Sequence, residues 1–113
     1  MIVKYNDKGL STNVAYSGGW KVRWQRTTAL KATFKSLLLP HKHHNFHTFK
    51  IFLRYNGKFD IDNTSATIKI FVDAMKEMGM IKEDDTKNFQ KLTILYDPTI
   101  DNPSFIFEVE EWK

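Results

Sequence analysis

The last segment of the chain constrains the fold more than any other. From Phe105 to Trp112 the residues alternate strictly. One side carries Phe105, Phe107, Val109 and Glu111, and the other carries Ile106, Glu108, Glu110 and Trp112. Such alternation is typical of a β-strand that has one face in the core and the other towards water. The segment therefore predicts a sheet that other elements must cover on one side.

Two longer segments have the spacing of helices. Trp20 to Leu39 places apolar side chains on one broad side among basic residues, and Pro40 ends it. The apolar residues of this side are Trp24, Leu30, Phe34, Leu37 and Leu38. A second helix is predicted from about Ser65 to Met78, and Gly79 suits the position just after its end.

Three further segments read as strands: Ile2 to Tyr5, Phe46 to Tyr55 and Phe89 to Tyr96. With the last strand and the two helices, the order is β-α-β-α-β-β. This order predicts one small α/β (α+β) domain over residues 1–113, with a mixed sheet and two main helices.

Several function classes find no support in the composition. The chain has no cysteine, so disulfides and thiolate metal sites are excluded. No stretch reaches the roughly 20 apolar residues of a membrane span, and the N-terminus lacks the features of a signal peptide. No phosphate-binding loop or dinucleotide fingerprint occurs, so no nucleotide cofactor is expected. We expect a cytoplasmic protein with no membrane partner.

The net charge of +4 hides a strong asymmetry between the two halves of the chain. Residues 1–60 hold eleven Lys and Arg against two acids, a net of +9, whereas residues 61–113 hold six Lys against eleven acids, a net of −5. Such asymmetry indicates a polyanionic partner, and the alternative is ordinary solvated helix faces. The candidate DNA-binding residues are Lys21, Arg23, Arg26, Lys31, Arg54 and Lys58.

Two acidic clusters carry the chemistry that the sequence suggests. Asp60 and Asp62 would share one face if the preceding strand extends to them. A second cluster, Glu83-Asp84-Asp85, follows the second helix. Carboxylates without His or Cys suit Mg²⁺, Mn²⁺ or Ca²⁺, although the spacing after Asp60 does not fit an EF-hand. The alternative is that Asp62 or Asn63 caps the helix and that the second cluster is a solvated loop.

The two acidic clusters belong to a longer pattern of three segments: Asp60-Ile61-Asp62-Asn63, Lys69-Ile70-Phe71-Val72-Asp73-Ala74-Met75 and Gly79-Met80-Ile81-Lys82-Glu83-Asp84-Asp85. This pattern resembles the signature of RusA-like Holliday junction resolvases. The match spans 26 residues, from position 60 to position 85. It departs from the family at one point, since Ala66 stands where the family often has its lysine and Lys69 comes three residues later.

The resemblance implies roles for particular residues. Asp60 and Asp62 match the first two metal-binding acids, and Asp84 matches the third by its distance from Asp73 and from Gly79. Asp85 is an alternative ligand beside it. Lys69 would be catalytic, or it would simply form a surface pair with Asp73 one turn away.

The function implied is a Mg²⁺-dependent endodeoxyribonuclease, with Mn²⁺ as an alternative ion, that resolves four-way junctions as a homodimer. Apolar surface for the dimer would come from the aromatic-rich segment with Phe105, Phe107 and Trp112, or from the face of the second helix near Met75 and Met78. Such enzymes serve recombination and repair, commonly in phages and prophages. Two alternatives stay open: a catalytically silent nucleic-acid-binding protein of the same fold, and a nuclease that acts on flaps or forks.

Two other features of the first half allow both a functional and a structural interpretation. Trp20 and Trp24, one helical turn apart among basic residues, could stack on bases, but we expect them to pack the helix onto the sheet. Four histidines between His41 and His47 suggest a zinc site, but no acid lies near them in sequence and we expect a solvated basic loop.

Overall fold

A computed structural model of the chain describes residues 1–112. Its elements are β1 (Ile2–Tyr5), α1 (Thr12–Ala15), α2 (Trp20–Leu38), β2 (Phe49–Asn56), α3 (Ser65–Glu77), β3 (Phe89–Tyr96) and β4 (Ser104–Glu111), with short 3₁₀ helices at Leu39–His41 and Ile61–Thr64. The predicted small α/β domain with two main helices is confirmed. The one-turn helix α1 is not among the elements predicted from the sequence. No helix within residues 1–112 combines the length and the apolar character needed to cross a bilayer.

The four strands form one mixed sheet in the order β1-β4-β2-β3. β4 pairs antiparallel with β1 and with β2, whereas β2 and β3 are parallel. A parallel pair needs a crossover connection on one face of the sheet, and α3 supplies it. β3 is consequently an edge strand whose far side has no partner in the described part of the chain.

The alternation in β4 has the predicted consequence. Phe105, Phe107 and Val109 are buried against the helices, and the ring of Phe107 stacks on that of Phe71 in α3 at 3.9 Å between centroids. No helix or strand of the described residues covers the opposite face of the sheet. The core therefore lies between one face of the sheet and the helices α2 and α3.

Helix α3 ends at the predicted glycine through a Schellman motif. Gly79 has φ +74°, a conformation that glycine adopts without steric cost. Its amide donates to the carbonyl of Lys76 at 3.0 Å, and the amide of Met80 donates to the carbonyl of Met75 at 3.0 Å. This stop turns the chain back towards the start of the helix.

Helix α2 is buried only in its second half. Leu30, Phe34 and Leu38 belong to the core, whereas Trp20 and Trp24 are 69% and 63% exposed. The expectation that the two tryptophans pack the helix onto the sheet is therefore wrong. Every residue from 20 to 25 is exposed because the helix extends beyond the sheet that covers its other end.

The surface first considered for dimerisation also needs correction. Phe105, Phe107 and Met75 were candidate interface residues, but all three are 1% exposed or less. They fill the core of the single subunit. Of the residues considered for an interface, only Trp112 and Met78 retain partial exposure.

Candidate metal and phosphate site

The first two candidate acids lie on the connection between β2 and α3. β2 ends at Asn56, and Asp60 is the N-cap residue of the 3₁₀ helix Ile61–Thr64. The strand does not extend to the acids, so the argument that strand periodicity places them on one face does not apply. Their proximity comes instead from the tight 3₁₀ turn that begins at Asp60.

Neither acid uses its side chain to cap a helix. The N-cap of α3 is Thr64, which makes no side-chain capping bond, and Asp60 makes none either. Within residues 1–112 the carboxylates of Asp60 and Asp62 form no hydrogen bond or ion pair shorter than 4.0 Å, and both residues are exposed. Their side chains are consequently free to bind something from solution.

Tyr55 links the core to this acidic turn, and the sequence analysis did not single it out. Its hydroxyl donates to the carbonyl of Phe59 at 3.0 Å, just before Asp60. Burial raises the pKa of Tyr55, and the negative charges of Asp60 and Asp62 raise it further. Both carboxylates thus act on the same phenol. No motif marks Tyr55 in the sequence; only its place at the end of a strand five residues before Asp60 would have suggested a supporting role.

The third acid returns to the same region. The chain turns back at Gly79, and Asp84 then lines a groove between α3 and β3 together with Asp62 and Lys69. We call this the α3–β3 groove; its remaining walls are mainly apolar, with Ile61, Ile68, Val72, Phe89, Leu92 and Ile94. One subunit therefore brings acids from both clusters to one groove. Asp60 lies next to it, in a hollow that it shares with Asp62 and Tyr55.

Lys69 stands between two carboxylates. Its Nζ is 3.6 Å from Oδ1 of Asp73 and 3.8 Å from Oδ2 of Asp84. The expected surface pair between Lys69 and Asp73 is present. Lys69 also contacts Asp84, the third acid of the candidate site. Because the lysine side chain is 61% exposed, its ammonium can move between these acids and a phosphate at low cost.

The neighbours of Asp84 have other partners. The carboxylate of Asp85 accepts hydrogen bonds from the amides of Lys87 at 3.1 Å and Asn88 at 3.2 Å, which organises the turn before β3. Glu83 lies 3.1 Å from Nζ of Lys76, and this hydrogen bond raises the pKa of the lysine. Among the three consecutive acids, Asp84 alone lines the groove.

The carboxylates around the groove match only the smallest set of protein ligands with which Mg²⁺ is commonly bound. No group of three or more His, Cys, Asp or Glu side chains within residues 1–112 converges closely enough to hold a metal ion. Mg²⁺ in phosphate-processing sites commonly uses only one or two carboxylates and completes its shell with water and substrate oxygens. Asp62 and Asp84 meet that requirement in kind, with Asp60 as a third carboxylate nearby.

The six candidate DNA-binding residues fall into two groups. Arg26 donates to the carbonyl of Val14 at 2.8 Å, Lys31 pairs with Glu77 at 2.6 Å, and Arg54 pairs with Asp97 at 3.5 Å. The other three are exposed and have no ion pair in the described residues: Lys21, Arg23 and Lys58. Lys58 lies beside the acidic turn, in the same hollow as Asp60.

The histidine segment packs on itself. The ring of His44 lies 4.3 Å from that of His43 and 5.4 Å from that of Phe46. Partial burial and the neighbouring positive charges lower the pKa of His44. The carboxylate of Glu111 meets this segment only at the backbone amide of His47, at 2.8 Å, and within residues 1–112 no three His, Cys, Asp or Glu side chains are grouped to hold a metal ion. The segment is therefore better described as a stacked loop than as a zinc site.

Comparisons with protein-family models and with curated proteins found no match for this chain.

Proposed function

We propose that this protein is a Mg²⁺-dependent, structure-selective endodeoxyribonuclease of the RusA-like type, acting on Holliday junctions and related branched DNA. One observation carries the proposal. Asp62, Lys69 and Asp84, which are far apart in the matching segment, line one groove, and Asp60 lies beside it with a free carboxylate. Residues that are separated along the sequence pattern therefore lie around one groove, and this supports the proposal.

In this proposal Asp62 and Asp84 hold the ion, and Asp60 adds negative charge beside them. When bound, Mg²⁺ polarises a phosphate oxygen and lowers the pKa of a coordinated water, with Mn²⁺ as an alternative. Lys69 offsets the repulsion between the carboxylates when no ion is present. It also offers a positive charge to a phosphate that enters the groove.

Residues 8–59 contain no acid, and three exposed cations of this segment, Lys21, Arg23 and Lys58, have no ion pair within residues 1–112. These cations would attract the DNA backbone, and Lys58 would contact a phosphate next to the acidic turn, in the hollow that it shares with Asp60. Backbone contacts of this kind give affinity and orientation but read no sequence. Selectivity would then come from the shape of the branched DNA.

Resolution of a four-way junction requires two cuts, and one subunit has a single α3–β3 groove in its described part. We therefore propose a two-fold homodimer. Edge strand β3 offers surface for it, because Leu92, Leu95 and Tyr96 are each more than 40% exposed and no strand within residues 1–112 pairs with its outer side.

Two alternatives predict different behaviour. A catalytically silent binding protein would bind branched DNA without cutting it, and its acids would have no reason to stay unpaired near a basic surface. A flap or fork nuclease would share the chemistry but prefer other branched substrates.

The test is cleavage of labelled four-way junction, flap and linear duplex, each with and without Mg²⁺. We expect cleavage of the junction only with the ion, and loss of at least about 100-fold in Asp62→Asn, comparable to the loss of one element of transition-state stabilisation. Binding measured in EDTA should persist in this variant. Binding without any cleavage by the wild type would favour the silent alternative, and preference for flaps would favour the third.

A further inference from the structure

The exposed half of α2 combines features that its role in the fold does not explain. Trp20, Val22 and Trp24 are 69%, 40% and 63% exposed, although large apolar side chains at such spacing normally lie in a core. Lys21 and Arg23 alternate with them and have no ion pair in residues 1–112. The segment is therefore both aromatic and cationic.

The two tryptophans lie on a stripe that leads towards the candidate site. At 3.6 residues per turn, Trp20, Trp24, Thr27 and Lys31 fall within about 60° of arc. Thr27 and Lys31 line a hollow between α2 and α3 together with Lys69. Lys69 also lines the α3–β3 groove, so the stripe and the groove meet at one side chain.

Electrostatics restrict what can cover this stripe. Helix α2 contains no acidic residue, and its N-cap is Gly19, which leaves the first amides without a side-chain acceptor. The positive end of the helix dipole adds to the charges of Lys21 and Arg23. An anionic partner is favoured over a neutral or basic one.

A second copy of the chain is a poor occupant. In a two-fold contact the same patch meets itself, so Lys21 and Arg23 of one subunit would approach those of the other. Like charges brought together in this way oppose association. A nucleic-acid strand has phosphates for the cations and flat bases for the indoles.

We propose that Trp20 and Trp24 form a stacking platform for the bases that are left unstacked at the branch point of branched DNA, with Lys21 and Arg23 binding the adjacent phosphates. The nature of the partner rests on the proposed function, but the binding itself requires neither a metal nor cleavage. Indole faces stack only on bases that are not already stacked in a duplex. The platform would thus distinguish a branch point from the duplex arms.

The first experiment measures binding of a fluorescent single-stranded oligonucleotide of about 12 nucleotides, within the range of known single-strand sites, and of a duplex of equal length. Both are titrated in EDTA by fluorescence anisotropy. Base stacking of about 1–3 kcal/mol predicts that Trp20→Ala and Trp24→Ala each weaken single-strand binding about 5- to 150-fold. Duplex binding should change little, and single-stranded DNA should quench the intrinsic tryptophan fluorescence.

Matched variants separate stacking from general apolar contact. Trp24→Phe keeps an aromatic face and should retain most of the affinity, whereas Trp24→Leu should lose it. Val22→Ala removes an exposed apolar side chain from another side of the same helix and serves as the control. Trp112→Phe removes the tryptophan on the open face of the sheet and should leave the DNA-dependent quenching intact. All of these variants should keep the thermal stability of the wild type, since exposed substitutions cost little.

Three results would overturn the inference: single-strand affinity unchanged in both alanine variants, equal affinity in the Phe and Leu variants, or a change in oligomeric mass on alanine substitution, which would make the stripe a protein interface. Failure of the proposed function looks different. If junction cleavage is lost in Asp62→Asn but the tryptophan variants bind normally, only the stacking platform is refuted. If single-strand binding depends on the tryptophans but no DNA is cleaved, only the proposed nuclease activity is refuted.

Discussion

Neutralising the two acids around Lys69 separates a structural role from a catalytic one. Asp73 and Asp84 both lie within 4 Å of the same ammonium, at 3.6 Å and 3.8 Å. Only Asp84 lines the α3–β3 groove with Asp62. Asp84→Asn and Asp73→Asn therefore remove similar charges from similar contacts and differ chiefly in their relation to the groove.

The structure gives the expected size of each effect. Two unit charges 3.8 Å apart attract by about 1 kcal/mol at the dielectric constant of water. Exposed pairs are worth about 0.2–1 kcal/mol once side-chain entropy is included, and Lys69 is 61% exposed. Both variants should thus lose less than about 1 kcal/mol of unfolding free energy. Asp84→Asn should also lose at least about 100-fold in cleavage, roughly 2.7 kcal/mol of barrier.

The assay pairs urea denaturation with single-turnover cleavage of a labelled four-way junction in Mg²⁺. Asp85→Asn is the register control, because the carboxylate of Asp85 serves the turn before β3 and not the groove. Equal losses of cleavage in the Asp73 and Asp84 variants would refute the distinction between the two acids. Full activity in Asp84→Asn with an inactive Asp85→Asn would show that the third acid has been placed one residue too early.

Four further outcomes are expected. Gly9→Ala should lose about 1–3 kcal/mol of unfolding free energy, because its Cβ would lie 2.5 Å from Oγ1 of Thr67 and 2.8 Å from the buried ring of Phe105; an unchanged urea midpoint would contradict this packing. Hydrogen bonds from two lysines of α2 lower the pKa of Glu77 from 4.5 to about 2, so its stabilisation is present above pH 4.5 and lost as the pH falls towards 2. Glu77→Gln should therefore lower the free energy of unfolding by less than about 1 kcal/mol at pH 7. A variant that is still less stable than the wild type below pH 2 in thermal melts would show that these hydrogen bonds are not the cause. DNA affinity should fall with salt by about 0.9 log units per log unit for each phosphate neutralised, and a flat profile would count against DNA as the partner. Light scattering across a dilution series should give about twice 13.3 kDa without DNA; a monomer at all concentrations, with junction added, would exclude paired cuts by a preformed dimer.

The sequence alone was sufficient for the type and order of the four strands and the two main helices, but not for the one-turn helix α1 or the 3₁₀ helices. Alternation in β4 and the spacing in α3 are local patterns, and each is set by whether one side of the element faces the core. The glycine stop at Gly79 could also be predicted, because the left-handed conformation that ends a helix there is costly for other residues. These features need only near neighbours in the chain.

Other features depended on which elements meet in three dimensions. The sequence brought Asp60, Asp62 and Asp84 together only by resemblance, and the return of the chain after Gly79 is what places Asp62 and Asp84 in one groove. Strand periodicity gave the wrong reason for the proximity of the first two acids, since β2 ends at Asn56. A strand end depends on pairing with β3 and β4, which no local pattern encodes.

The tryptophans of α2 show the same limit most clearly. In sequence, Trp24 belongs to the predicted apolar side of α2 together with Leu30, Phe34 and Leu38, and Trp20 lies one helical turn before it. The sheet covers only the second half of the helix, so three of these side chains are buried and two are exposed. Periodicity determines which side chains share a face, but the extent of the layer packed against that face decides which of them leave water.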